Sequence, residues 1–326
     1  MSRRTAADLG LPRAGGNHLG FWAGALLLSA ALVVGLRLVG NEYAWFAGYF
    51  ILQYVVLATA WNILGGYAGY VNFGAAGFMA VGAYTTVALR KAFGLDLLPC
   101  IVAAAGIGAL VGLGTGYLTL RLRGVYFAIA TLSLAVLLHT VVVNWSYVGG
   151  SRGAYVVRPQ SIPPFASYGE FLFVVMLALS VMAVGVARWI ELSRVGRGLA
   201  ALRDDERAAE AAGVPTLRLK LIATTLSAAL MAVAGAPLPY YAGYLNPESA
   251  FGLAYSVNAI AMPLIGGAGT WLGPVIGAVL LASLQQAATV TISSAANLMI
   301  VGVVLVVFVV AAPRGILGLF GKGGHR

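Results

Sequence analysis

Long stretches without charge dominate this sequence. Only 9% of its 326 residues are charged and 60% are hydrophobic, whereas an ordinary soluble domain is about 25% charged. Seven of the 20 lysines and arginines and five of the 10 acidic residues fall between residues 188 and 220. Apolar runs of roughly 20 residues elsewhere carry no charge. This distribution predicts membrane-spanning helices joined by loops.

Apolar runs of the length needed to cross a bilayer recur along the chain. They predict an all-α, polytopic membrane protein with about ten transmembrane helices, and eight or nine are the alternatives. Paired glycines beginning at Gly65 and at Gly266 interrupt the third, eighth and ninth spans. Such backbone at membrane depth has to be covered by protein or line a cavity. The predicted spans are 19–39, 43–64, 67–89, 98–120, 124–147, 169–188, 217–241, 253–267, 270–291 and 295–312.

Basic residues in short loops set the sidedness of a polytopic protein. With ten alternating spans, both termini, the pair Arg121 and Arg123, and the charged loop of residues 189–216 lie in the cytoplasm. Four basic residues then lie outside, which this rule favours less; they are Arg90, Lys91, Arg152 and Arg158. The predicted organisation is a cytoplasmic tail over 1–18, a transmembrane domain over 19–312 and a cytoplasmic tail over 313–326.

The acidic residues indicate that the chain has no energy source of its own. Outside the segment 188–220 they all lie at or beyond span ends, at Asp8, Glu42, Asp96, Glu170 and Glu248. Proton-driven carriers usually keep a carboxylate at membrane depth, so that mechanism is disfavoured, although sodium coordination by carbonyls and hydroxyls stays open. The chain also lacks a GxxxxGK[ST] phosphate loop. Active transport would therefore need a partner ATPase, and ATP and magnesium would bind there, with no cofactor in this chain.

Two other classes of function are disfavoured. The net charge of +10 comes from residues at the ends of apolar segments and not from one basic stripe, which argues against nucleic-acid binding. The single cysteine, Cys100, has no CxxC partner, so this chain alone forms neither a disulfide nor a zinc site.

The segment Gly196–Pro215 predicts a short, exposed helix on the cytoplasmic side. It is rich in helix-forming residues, and Gly213 followed by Pro215 is a typical C-terminal signal. Like charges repeat at four-residue spacing, where they repel each other. Such a surface fits docking onto a partner, although charged loops between spans are also often simply solvated.

Five motifs in the same order as in a known family give the chain a specific resemblance. It resembles the membrane permease subunits of branched-chain amino-acid ABC transporters, namely the longer of the two paired permeases, from about Phe50 to Phe320. The motifs are NFGAAGFMAVGAYT within Gly65–Tyr84, RLRGVYFAIATL from Arg121, NW followed by GGSRG within Asn144–Gly153, the segment Gly196–Pro215 with KLIATTLSAALMAVAGA after it, and IGGAGTWLGPVIGA from Ile265.

The resemblance implies a multi-subunit importer in the bacterial inner membrane. Its expected partners are a second homologous permease, two cytoplasmic ATP-binding subunits, a periplasmic or extracellular solute-binding protein and membrane lipid. By the same resemblance the charged loop couples the permease to the ATPases. The expected coupling residues are Gly196, Arg197, Arg203, Asp204, Asp205, Glu206 and Gly213.

The chain departs from the family's pattern at several positions that bear on the solute. Val136 and His139 stand where the family usually has a glutamate and an arginine, and Val148 and Arg152 flank the glycine pair in place of a threonine and an asparagine. We hypothesise that Arg152 favours a solute with a carboxylate at the outer mouth. The residues predicted as pathway candidates are Asn72, His139, Arg152 and Asn258.

Four functions remain to be weighed. The expected one is import of branched-chain or related hydrophobic amino acids; the same family also admits urea, amides or aromatic acids as solutes. A sodium-driven secondary carrier would work without partners. A sugar permease of the ABC type shares the broad architecture, but few polar groups are available to bind hydroxyls. A scaffold or receptor subunit is disfavoured because the loops are short.

Overall fold

The computed structural model describes residues 18–119, 122, 124–158, 163–291, 299, 302–303, 306 and 315–320. Within these ranges the chain is almost entirely helical, which confirms the predicted all-α class. Most of the predicted span 295–312, most of both predicted tails, and Arg121 and Arg123 lie outside the described residues. The helices are α1 His18–Val39, α2 Glu42–Asn62, α3 Ala75–Phe93, α4 Leu97–Thr119, α5 Val125–Val143, α6 Tyr168–Leu192, α7 Arg194–Asp204, α8 Glu206–Ala211, α9 Thr216–Gly235, α10 Leu238–Ala242, α11 Pro247–Ala250, α12 Leu253–Gly266, α13 Gly273–Thr291 and α14 Gly315–Phe320.

Seven helical segments in the described part of the chain are long and apolar enough to cross a membrane. The predicted polytopic helical fold is therefore supported, but the predicted number of about ten spans is not. The third predicted span, 67–89, is not one of the seven, and the ninth corresponds to a shorter apolar helix, Gly273–Thr289. The seven segments are Gly20–Val39, Glu42–Tyr67, Leu97–Thr119, Val125–Val143, Tyr168–Leu192, Thr216–Ala242 and Pro247–Gly266.

The described residues fall into two compact units, one that ends at Asn41 and one that begins at Glu42. Helix α1 carries exposed leucines along its length, among them Leu26, Leu27 and Leu28. A helix that is apolar all round is stable only in lipid or against other protein.

Helices α2, α6, α9 and α12 form the core of the second unit. Large side chains on all four are fully enclosed, among them Leu57, Met176, Met231 and Met262. Helix α5 is the opposite case, because only 17% of its apolar stretch is buried within the chain. In water such a surface would aggregate, whereas in a bilayer it faces lipid tails or another subunit.

The third predicted span begins later than its apolar pattern suggests. Residues Ile63–Tyr67 form a π-helical turn after α2, and the chain then runs without helix until Ala75. The open backbone is bonded by side chains of other helices: Thr131 Oγ1 accepts from Phe73 N at 3.1 Å, and Ser256 Oγ donates to Phe73 O at 2.8 Å. These two hydrogen bonds confirm the prediction that the interrupted backbone of this segment is covered by protein.

The bundle has two ends with different contents. At the strand end, β1 Ala154–Tyr155 pairs antiparallel with β2 Tyr244–Leu245. The Arg158 guanidinium there donates to the carbonyls of Tyr240 and Tyr241. The loop end holds the charged loop together with the glycine-paired segments 65–70 and 266–271.

Candidate functional site

The charged loop folds into two helices and not the one that its composition predicts. Helix α7 ends at Asp204, Asp205 is extended, and α8 begins at Glu206. The Asp205 carboxylate accepts from the backbone amides of Arg207 at 2.8 Å and Ala208 at 3.1 Å. Aspartate at this position satisfies amides that have no partner within the helix. The residue that caps α8 with its side chain is therefore also the residue whose extended backbone ends α7.

One face of α7 is docked on the protein, contrary to the expectation of an exposed helix. Leu199 and Leu202 are only 0% and 3% exposed. Gly196 is buried, and a Cβ there would overlap the carbonyl oxygen of Ile190. A Cβ at Gly198 would lie 2.6 Å from the Leu219 side chain. These two glycines let the helix approach closely, so that two leucines are enough to anchor it.

Arg203, in the last turn of α7, has a side chain that is 43% exposed and pairs with Asp204 at 3.7 Å, while one end of its guanidinium reaches the bundle. Its Nη1 donates to the carbonyl of Gly66 at 3.0 Å. The aliphatic part of the side chain passes Gly69, where a Cβ would lie 2.8 Å from Cγ of the arginine. Gly69 has a φ of +76°, a conformation that glycine adopts most easily.

Glu206 is also directed inward. Its Oε2 accepts from the Tyr70 hydroxyl at 2.6 Å, and its Oε1 pairs with the Lys220 ammonium. The two charged side chains are 12% and 6% exposed, and the ammonium lies 4.8 Å from the centre of the Tyr70 ring. A carboxylate and an ammonium this well enclosed are stable only as a hydrogen-bonded pair.

The other predicted coupling residues lie on the solvent side of the loop. Arg197, Asp204 and Asp205 are exposed, and so is Arg207, which the sequence argument did not include. Gly213 is exposed with a φ of +81° and follows the end of α8, which agrees with its predicted C-terminal role. The predicted set therefore divides into outward and inward residues.

The two glycine-paired segments lie against each other, and we call this contact between residues 65–70 and 266–271 the glycine junction. The amide of Asn62 bridges it, accepting from Gly269 N at 3.0 Å and donating to Thr270 O at 2.9 Å. Glu191 supports the same segment by accepting from Trp271 N at 2.6 Å. Sequence reasoning missed Asn62 and Glu191, although a polar residue at a span end shortly before paired glycines was a usable signal for Asn62.

The predicted pathway candidates do not lie together. Asn72 is buried, and its Oδ1 accepts from Gly74 N at 2.7 Å, so it holds the turn before α3. His139 is half-buried, with its ring edge-to-face on Phe251 at 5.4 Å. Arg152 is exposed at the strand end, where its carbonyl accepts from the Tyr244 hydroxyl.

Asn258 belongs to a buried chain of polar groups between α2, α12 and α13. Its Nδ2 donates to the Tyr54 hydroxyl at 3.1 Å, and its Oδ1 accepts from Gln285 Nε2 at 2.9 Å. All three side chains are at most 5% exposed. Hydrogen bonds of this kind join neighbouring helices in membranes.

A groove of about 400 Å³ opens at the strand end. Arg90 and Lys91 line it together with Tyr147 and the glycine-rich turn that follows. Both cations already have partners, because Arg90 pairs with Asp96 at 3.3 Å and Lys91 donates to Tyr147 O at 2.7 Å. Among the described residues no group of three or more His, Cys, Asp or Glu is placed to hold a metal ion.

Comparison with known proteins identifies the family. The profile of the branched-chain amino acid transport system permease component family matches residues 43–309. The permease protein LivM of the high-affinity branched-chain amino acid transport system is 28% identical in both Salmonella typhimurium and Escherichia coli, over 81% of this chain and 67% of the relative. LivH of Escherichia coli is 23% identical, over 81% of this chain and 91% of the relative. No solved structure matches the chain. With four-fifths of its length matched, this chain belongs to the family of branched-chain amino acid transport permease components.

Proposed function

We propose that this chain is the permease subunit of an ATP-driven importer and forms half of the path for branched-chain or related hydrophobic amino acids. The main support for this proposal is the family match over residues 43–309 together with the similarity to LivM. The partners are a second homologous permease, two ATP-binding subunits that carry the ATPase activity, and a solute-binding protein. The expected location is the bacterial inner membrane, with the loop end and both termini in the cytoplasm.

The ten-span topology is part of this proposal. Helix α13 starts beside Gly266 at the loop end, and α14 lies at that end too, since a Cβ at Gly315 would be 2.6 Å from Gly267 N. A 19-residue helix such as α13 is about 28 Å long and reaches the other end of a bilayer. Helix α14 therefore lies at the same end of the second unit as the charged loop, as the proposed topology requires.

Reconstitution tests the energy source. Proteoliposomes containing this chain, its permease partner, both ATPases and the binding protein should accumulate labelled leucine only when ATP is supplied. Liposomes containing this chain alone should not accumulate it under a sodium gradient. Accumulation by the chain alone would establish a secondary carrier and overturn the proposal. A panel with urea, amides, aromatic acids and sugars in place of leucine would identify the solute.

The outward residues of the charged loop should carry the ATPase contact. Reversing Arg197 and Arg207 to glutamate should lower the affinity for the ATPase subunits by about tenfold or more, because removing one partner of an interfacial charge pair costs about 2 kcal/mol or more. Co-purification of the ATPases with the permease is the measurement. Arg37→Glu, at the end of α1, is a control with the same charge change outside the loop. Equal retention by all variants would place the ATPase contact elsewhere.

A further inference from the structure

The inward contacts of the charged loop converge on one short stretch of chain. Arg203 holds the carbonyl of Gly66, and Glu206 holds the hydroxyl of Tyr70. Gly66 and Tyr70 lie at the two ends of the segment 66–70. This segment leads from the π-helical turn after α2 into the non-helical chain before α3. The loop is therefore attached at the point where the transmembrane backbone is interrupted.

The guanidinium of Arg203 also borders the second half of the glycine junction. A Cβ at Gly269 would lie 2.7 Å from its Nη1 and 3.4 Å from Gly66 O. The arginine thus fills a slot between residues 66–69 and Gly269, and side chains larger than hydrogen at these glycines would close that slot. The slot is specific to this arrangement of three segments.

The break at Asp205 separates the two inward contacts. Arg203 belongs to α7 and Glu206 to α8, and the extended residue between them is exposed. The break therefore separates two helices, each with its own attachment to the segment 66–70. A subunit that pulls on the outward face of α7 and α8 changes both attachments.

From this geometry we infer that Arg203 and Glu206 are positioning residues, which transmit movement of the charged loop to the glycine junction through their bonds to Gly66 and Tyr70. This inference rests on the proposed function. It divides the loop into outward residues that bind the ATPase and inward residues that convert binding into a change of the membrane-embedded backbone. Loss of an inward contact should uncouple ATP hydrolysis from transport without releasing the ATPase.

The experiment compares three readouts in the complete complex: co-purified ATPase, ATP hydrolysis, and leucine moved per ATP. Arg203→Met keeps the aliphatic contact with Gly69 and removes the donor. We expect normal co-purification and sustained hydrolysis, with leucine per ATP reduced about tenfold, the order that loss of one hydrogen bond from a charged donor allows. Arg203→Lys, which keeps a donor, should restore much of the ratio. Tyr70→Phe should act like Arg203→Met, since it removes one bond from Glu206 and leaves the Lys220 pair.

Three outcomes have distinct meanings. If Arg203→Met loses ATPase in proportion to transport, as Arg207→Glu is expected to, Arg203 is a docking residue and the inference is wrong. If leucine per ATP is unchanged in Arg203→Met and Tyr70→Phe, the inward contacts transmit nothing and the inference is also wrong. If the unaltered complex shows no ATP-driven uptake, the proposed function itself fails, which is a different result from either of these.

Discussion

At the scale of single residues, Asp205 determines the shape of the charged loop. Its side chain accepts two amide protons of α8, and its own extended backbone ends α7. The preceding residue, Asp204, has the same charge but lies in the last turn of α7, where a carboxylate is unfavourable with respect to the helix dipole. Identical side chains one position apart therefore have different structural effects.

Removing the Asp205 carboxylate should loosen α8 selectively. Asp205→Ala is expected to cost about 1 kcal/mol of local stability, whereas Asp205→Asn retains an acceptor and should cost much less. Amide hydrogen exchange over residues 206–214 measures this, and the alanine variant should exchange about fivefold faster in this segment. Asp204→Ala is the matched control and should leave the exchange unchanged; equal acceleration in both variants would argue against the cap.

The burial of α7 could not be predicted by counting its large apolar residues in the sequence. Two large apolar residues are too few to dock a helix if all its positions carry side chains. Gly196 and Gly198 change that, because they let the backbone of α7 contact α6 and the side chain of Leu219 directly. The closeness of that approach depends on residues distant in sequence, which periodicity does not reveal.

At the scale of elements, α4 and α9 form an extensively packed helix pair. Gly108 and Gly112 recur at four-residue spacing, and a Cβ at either would overlap an alanine side chain of α9, Ala232 or Ala228. Small residues at this spacing let helix backbones approach closely in membranes, where packing and not water exclusion drives association.

A methyl group added on the packed face of α4 should destabilise the protein, and one added on the open face should not. Gly112→Ala is expected to lower stability by about 1–3 kcal/mol through overpacking. Gly114→Ala is the control on the same helix, because nothing lies within 4 Å of a Cβ there, and it should be neutral or slightly stabilising. Thermal unfolding in detergent is the measurement; equal melting temperatures for the two variants would contradict the packing.

Element boundaries were predicted well where the apolar pattern is uninterrupted and poorly where glycines interrupt it. Helices α2, α4 and α6 begin within a few residues of the predicted spans. The third span was wrong in its start, because whether residues 68–74 are helical depends on acceptors and donors supplied by α5 and α12. The break at Asp205 was likewise missed, although an aspartate directly before a run of helix-forming residues is a recognisable N-cap signal.

At the scale of the whole molecule, the two ends of the bundle differ in their charge and their contents. The loop end holds five of the ten acidic residues, within the segment 188–220, and the strand end holds Arg90, Arg158 and the groove. The resemblance located the charged loop that forms most of the candidate site, whereas the partners Asn62, Tyr70 and Glu191 came from the fold.

Single cysteines should report the orientation of the bundle. The native Cys100 is buried, so it should react slowly and leave a low background. Arg207→Cys and Ala212→Cys, both exposed at the loop end, should resist a membrane-impermeant thiol reagent in intact cells and react after lysis. Phe93→Cys and Val157→Cys, which replace side chains 73% and 82% exposed at the strand end, should react in intact cells. The reverse pattern would invert the proposed orientation.

The acceptor of Arg203 is a main-chain oxygen, and this affects how the attachment can evolve. Every amino acid supplies a backbone carbonyl, so no substitution at position 66 removes the acceptor itself. Only a side chain large enough to fill the slot can prevent the hydrogen bond from Arg203. Relatives could therefore exchange most side chains around this point and keep the linkage, provided that an arginine and the narrow glycines persist. Mutational scans that replace side chains one at a time would find the arginine and overlook the atom it holds.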